Sequence, residues 1–538
     1  MKKIIPCVLV LLILVGVFFI SCKKDSAATS TSSISTPVGQ YPISSPDTLR
    51  YWMSLHSNIS ANYTNFGSSP FGQELLRRTG VNVIFEHPAG NSSAVVQEAF
   101  NLMIAAGSDM PDIIEYNWVT IAGGPGKALD DQTILPLQDV IDKWAPNLKR
   151  VLAANPTWNR AVKTDEGQYY VFPFIRGDEK LLYSQGLMIR KDWLDDLGLQ
   201  PPQTLQEWHD ALVAFRDRKN VASPFTIVWS NRNRMFMPTF NILNGMYISH
   251  TDNRVHFGQI EQGYRDWITT MAQWYREGLI DRDIMSVQTA QQNQKMMTGT
   301  AGATVASVGS GMGTWTEGTR PNEPRYEIIA LQYPVRNRGD RLIYSIPNQD
   351  YSGQDSPAIS YTSKNVELAA RFLDYGYSAE GHNVYNFGQQ GVAWNMVNNY
   401  PTWTPELMAG GPNKWPLAQA LSSVARGPMA GPFVQDKGYI EQYYALPEQA
   451  QALTNYILPG ATNYFMPAVT PTQAESQEYA SIMQEITTFV DEQTARWLLG
   501  TDPVNDTTWN NYVNAINRMN IARAIAIQNA ALDRFNRR

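Results

Sequence analysis

Two cysteines in 538 residues, Cys7 and Cys22, leave everything beyond residue 22 without a thiol. That excludes a disulfide framework, a metal–thiolate site and a cysteine nucleophile from the body of the chain. Histidine is scarce too. Its six copies stand at 56, 87, 209, 250, 256 and 382, with no His-Glu-x-x-His pair and only His250 and His256 close together, so no metal site is expected. There is no basic excess: 43 Lys and Arg against 49 Asp and Glu give a net charge of −6, which carries no footprint for nucleic acid. No Gly-x-Ser-x-Gly elbow occurs. The run Gly123-Gly124-Pro125-Gly126-Lys127 fails as a phosphate loop, because Ile121 replaces its first glycine and Ala128 its hydroxyl residue. A turn is expected there. Gly309-Ser310-Gly311-Met312-Gly313 has the wrong spacing for a nucleotide loop. No catalytic residue and no cofactor is assigned. The paired carboxylates of a glycosidase leave no local signature, so a sugar-cleaving enzyme stays open as an alternative.

What the chain does have begins at its N-terminus. Lys2-Lys3, the apolar run Ile4–Ile20 and Ser21-Cys22 read as a lipoprotein signal over 1–21, cleaved before a lipidated Cys22. The apolar run is short for a spanning helix. Residues 22–46, rich in Ser, Thr and Pro, read as a flexible tether. The rest is long enough for two or more domains. Fifteen Trp and 26 Tyr suit cores, and also surfaces that stack on flat apolar rings.

Periodicity predicts strands over 48–53, 81–85 and 111–116, alternating with helices at 71–78, ended by Gly80, and 93–106, capped by Gly107. That alternation argues for an α/β sheet with crossover helices, whose ligands lie beyond the carboxyl ends of the strands. Asn117 and Trp118 stand at such an end. Tyr169–Phe174 is apolar, but Pro173 suits an edge or a crossing rather than a central strand. Arg176 and Asp178 follow around Gly177. A helix over 191–198 comes next, then one over 204–218 with Thr204 as N-cap and Glu207 three residues on. Trp229 closes a strand over 225–229. Trp267, Met271, Trp274 and Tyr275 share an apolar helical stripe that belongs in a core. Helices are expected over 473–499 and 508–538, the last ending in Arg534, Arg537 and Arg538 as a solvated terminus.

Several motifs carry a resemblance. They are Gly167-x-x-Tyr170-x-Phe172-Pro173, Arg190-Lys191-Asp192-Trp193-Leu194, the segments 74–90 and 135–148, Trp274–Asp281, and Phe387-Gly388-x-x-Gly391-Val392-x-Trp394. In these the chain resembles the family 1 extracellular solute-binding proteins of ABC importers, within them the large oligosaccharide-type lipoproteins. The resemblance implies a two-lobed, type II periplasmic-binding-protein-like α/β fold with an extra C-terminal helical region. Its first lobe would take 47–172 and 356–400, its second 173–355 and 401–538. It implies a lipid-anchored, extracytoplasmic, monomeric receptor that closes on an oligosaccharide or other small polar solute and hands it to ABC permease subunits. The implied ligand residues are Trp52, Asn117, Trp118, Arg176, Asp178, Trp229, Trp315, Asp350, Tyr351 and Trp394. Trp52 and Trp394 have a second reading as buried core. Relatives often insert a calcium-loop-like run after the 204–218 helix; Arg216–Asn220 replaces it here, so no calcium is expected at that point.

Overall fold

A computed structural model describes residues 34–538, apart from 352, 354, 428 and 429. Eight strands build two sheets: β1 Thr48–Trp52, β2 Asn82–Glu86, β3 Ile113–Tyr116, β4 Gln185–Arg190, β5 Phe225–Thr226, β6 Ala303–Ser307, β7 Ile328–Leu331 and β8 Ser356–Ile359. The first sheet has the order β8-β3-β1-β2, with β1 parallel to both β2 and β3 and β8 antiparallel to β3. The second has the order β7-β4-β6-β5, with β4 antiparallel to its two neighbours.

Local chemistry sets the helices between these strands. Pro70–Thr79 opens on Ser69, whose hydroxyl accepts from the Gly72 N–H, with proline at its first position. It ends at Gly80, at a φ of 71° that favours glycine. Ser93–Ala106 ends the same way at Gly107. Leu205–Arg218 carries the expected capping box between Thr204 and Glu207.

Each sheet has its own core. Leu49, Tyr51, Phe85, Ile113, Phe174 and Phe372 pack in the first. Leu187, Ile189, Trp208, Trp267, Met271 and Val305 pack in the second, joined there by Ile486, Val490 and Trp497 of the long helix Gln473–Leu499. Phe387, Trp394, Trp403, Leu421 and Tyr439 make a small core of their own. The segments after residue 400 therefore do not all belong with the second sheet: Phe433, Ala468 and Phe535 pack in the first core.

Four further expectations are corrected. The leader 1–21, Cys7, Cys22 and the tether up to residue 33 lie outside the described residues, but 34–46 is not free. Arg371 donates to the Thr36 and Pro37 carbonyls, and Ile43 is buried with its N–H on Thr79 O at 2.7 Å. The glycine run at 123 leads into a short helix, Gly124–Asp130, rather than a plain turn. The last helix is two, Asp506–Arg518 and Ile521–Arg537, broken at Asn520, which has a φ of 68°. Its basic end is solvated only at Arg537: Arg534 and Arg538 both pair with Asp165, and Arg538 also donates to Thr470 Oγ1 at 2.8 Å. The Ile521–Arg537 helix thus packs on both cores, through Ile521 and Ala524 at one end and Phe535 at the other. No helix among the described residues is long and apolar enough to cross a membrane.

Candidate functional site

The carboxyl edges of both sheets lie at the crossings between them. The chain leaves the first sheet where Phe174 N–H donates to Ser356 Oγ at 3.1 Å, and Ser356 is paired with Tyr116 at the end of β3. It then forms a two-residue strand, Ile175–Arg176, parallel to Val434–Gln435. The returning segment runs alongside: Arg176 N–H donates to Asp350 O at 2.9 Å, and Asn348 N–H to Leu182 O at 2.7 Å. Leu182 lies just before Ser184, whose carbonyl accepts from Val308 at the carboxyl end of β6. One cluster of crossing backbone therefore joins the two edges where an open α/β sheet receives its ligand.

Polar groups gather along this path. Arg176 is buried, donates to the Gln349 carbonyl at 3.1 Å, and has its pKa lowered to about 10 by burial. Asp350 accepts from the Trp158 indole at 3.3 Å, and burial raises its carboxyl pKa. Asp178 accepts from Lys180 N–H at 3.0 Å as the cap of the turn Glu179–Leu182, with Lys437 at 3.6 Å. The Asn117 side-chain oxygen is buried and meets no donor among the described residues. Gly353 sits against it; a Cβ there would come within 2.3 Å of Val119 and 3.1 Å of Asn117 Oδ1.

Trp229 opens the turn Trp229–Arg234, in which no residue is buried although the strand before it is. This turn replaces the last part of the strand expected over 225–229. Arg232 lies over the Trp229 ring, 5.0 Å from its centroid, and is held by Asp491 from the Gln473–Leu499 helix.

The expectation that Trp52, Trp118, Trp315, Tyr351 and Trp394 present ring faces to a ligand is corrected. All five are core, between 0% and 6% exposed. The physical reason is that four of them satisfy their polar ring atom inside, and Trp52 lies against other rings. Trp118 donates to Ser356 O at 3.2 Å, Trp315 to Asn293 Oδ1 at 2.8 Å and Trp394 to Gly388 O at 2.9 Å. Tyr351 shares a 2.8 Å hydrogen bond with Tyr170, and Trp52 packs on Phe100 and Tyr116.

Three residues were not foreseen. Glu115 is buried at the end of β3, with Tyr51 donating to one oxygen at 2.6 Å and Arg426 to the other. Burial raises its carboxyl pKa, and the Arg426 charge opposes that rise. Asp355, just before β8 on the same edge, is pushed up to about 6 by burial and by Glu115. Arg426 reaches this edge from more than three hundred residues away, so no local pattern could have paired it with Glu115. Asp355 had a readable signal: a carboxylate at the mouth of an apolar strand.

Residues 65–383 match the profile of bacterial extracellular solute-binding proteins. The chain belongs to that family. It is 24% identical to the fructooligosaccharide ABC transporter substrate-binding protein FusA of Streptococcus pneumoniae, over 92% of each chain. Among solved structures it is similar to the alginate-binding protein AlgQ2, at 25% identity and a TM-score of 0.71 over 90% of this chain and 98% of that one. A FusA EF-hand mutant bound to fructo-nystose matches at 21% identity and a TM-score of 0.72, over 91% of this chain and 99% of that one. The fold of this extracellular solute-binding protein is accordingly the two-lobed, type II periplasmic-binding-protein-like one. The family is one of solute-binding proteins rather than enzymes, and its place is outside the cytoplasm.

The AlgQ2 structure is described as without calcium ion and the FusA structure as an EF-hand mutant. In this solute-binding protein, Arg216 pairs with Asp217 and donates to Glu277 O, while Lys219 pairs with Asp196. The Asp217 and Asp196 carboxylates and the Glu277 carbonyl thus each accept from a cationic side chain. The residues present do not fit calcium.

Proposed function

We propose that this protein is the lipid-anchored receptor of an ABC importer, binding an oligosaccharide between the two sheet edges and delivering it to the permease. The observation that carries the reading is the convergence of both carboxyl edges on the crossings, with a half-exposed Trp229–Arg234 turn on one side and Asn117 and Asp355 on the other. Trp229 stacks on the apolar face of a sugar ring. Asn117, whose buried oxygen has no donor among the described residues and is uncovered as the lobes move, and Asp355 accept hydrogen bonds from sugar hydroxyls. Arg176, Asp178 and Asp350 set the crossings and meet the ligand as the lobes close. The described likeness to receptors of fructooligosaccharide and alginate supports a carbohydrate. The lobes divide as 47–172 with 356–400 against 173–355 with 401–538, with Phe433, Ala468 and Phe535 reaching back to the first core and the Ile521–Arg537 helix lying on both. Cys22 carries the lipid. The protein acts as a monomer and binds without turnover.

Closure is a hinge motion, and the ligand shifts it only by its preference for the closed form. A thermal-shift screen of the full chain against fructan, alginate and pectic oligosaccharides tests the reading, with product analysis of each hit. At a hundredfold over its dissociation constant a ligand adds about 2.7 kcal/mol of stability. Recovery of intact sugar is expected; cleaved sugar would make the protein an enzyme, and no shift across the panel would remove the carbohydrate. Palmitate labelling should mark the wild type and not Cys22→Ser.

A further inference from the structure

A cavity of about 480 Å3 lies against the crossings, takes Trp158 and Val434 from them, and includes neither Asn117, Asp355 nor any residue of the Trp229–Arg234 turn. Its size is that of a small-molecule site, and its make-up is the usual one, a mostly apolar wall with a few polar groups. Val151, Ala154, Trp158, Tyr377 and Val434 form the wall. Three of its sides are fastened to interlobe segments. Trp158 donates to Asp350 at 3.3 Å. The Tyr377 hydroxyl donates to Pro173 O at 2.7 Å. His382 lies 3.1 Å from Asp436, two residues past Val434, which is itself paired with Ile175.

Arg150 stands at the rim. Among the described residues its guanidinium donates to two neutral oxygens, Asn147 Oδ1 at 3.1 Å and Tyr377 O at 3.3 Å. The buried carboxylate it acts on electrostatically, Asp374, is already filled by donors from Asn147 and Leu148. Arg150 is thus exposed at the mouth of the cavity with no carboxylate in hydrogen-bond contact among the described residues, and guanidinium is the side chain best shaped for a carboxylate.

We propose that this cavity is a ligand site for a small ring-bearing carboxylate, with the ring against Trp158 and Tyr377 and the carboxylate on Arg150. Because the walls hold the crossings, occupancy stiffens the hinge. The inference does not depend on what binds at the sheet edges.

Two probes separate the possible sources of such a ligand: benzoate for aromatic acids and D-galacturonate for sugar acids. Calorimetric titration of the full chain in detergent should give one site for at least one of them. Arg150→Gln removes the charge and Ala154→Phe fills the cavity; each should weaken that binding at least tenfold with the melting temperature unchanged. Binding of benzoate alone names an aromatic acid, and of galacturonate alone a sugar acid. Failure of both probes, or binding that survives both substitutions, would overturn the site. Amide hydrogen exchange over 173–178 and 433–436 should slow when the probe is bound; unchanged exchange would overturn the link to the hinge.

Discussion

The two sheet edges that meet at the crossings are built in opposite ways. The edge of the first sheet is a buried floor. Trp52 and Trp118 are drawn into its core, and at the end of its strand Ile113–Tyr116 lies a buried ionic group in which Tyr51 and Arg426 fill Glu115. The edge of the second sheet ends in six residues of which none is buried, with Trp229 stacked on Arg232. The lesson is that one aromatic residue at a strand end is not equivalent to another. Where a helix such as Ser93–Ala106 lays Phe100 on the ring, the ring becomes core. Where a polar turn follows the strand, the ring stays at the surface.

The sharpest way to break this comparison is to open the floor. Arg426→Met leaves Glu115 buried without its cation, and the expected cost is about 3–5 kcal/mol in urea unfolding. A loss below about 1 kcal/mol would mean the floor is not held by this pair. Next comes the reader on the other edge. Trp229→Ala should weaken the oligosaccharide by about 2 kcal/mol, roughly thirtyfold, at an unchanged melting temperature. Trp118→Phe should do the reverse, lowering stability while leaving affinity alone. Equal affinity losses from the two would erase the distinction between the edges.

Acidity sharpens the comparison further, because Asp355 belongs to the floor. Its folded pKa of about 6 stands above the ordinary carboxylate value of about 3.9. Between those limits the folded protein binds more protons than the unfolded one, so this group's contribution falls as pH rises from about 4 to about 6. Asp374, also pushed up to about 6 by burial, acts in the same direction. The expected slope, discounted for partial exposure, amounts to about 1–2 kcal/mol for Asp355. Asp355→Asn should flatten it in denaturant titrations across that window, and an unaltered slope would show the carboxyl titrating normally. The smallest effect is expected from Asp491→Asn, which releases Arg232 from behind Trp229. A half-exposed ion pair of this kind contributes up to about 1 kcal/mol. Sugar affinity should fall by no more than about fivefold, together with a shift in the Trp229 fluorescence.

Much of the framework was legible because its causes are local. Ser69 before Pro70, Gly80 and Gly107 after their helices, and the Thr204–Glu207 box each act within four residues, and the elements they bound lie where the pattern put them. Pro173 correctly argued for a crossing, since it cannot donate to a central ladder. The site was less legible. Trp315 and Trp394 look like surface platforms beside their glycines, yet each is buried around a satisfied indole N–H. The charged end of the last helix looked solvated until Asp165 was seen to lie beneath it.

The division follows from range. Caps, turns and periodicity are decided by neighbours along the chain, so the sequence by itself determined most of the helices and the strand–helix alternation over 48–116, while the two-lobed fold followed from the family resemblance. Burial and pairing are decided by neighbours in space. Only the tertiary structure could decide that Glu115 meets Arg426, that Trp229 stays half-exposed, and that the final helix packs on both cores. Residues hundreds of positions apart set the solvent access and the electrostatics of those groups.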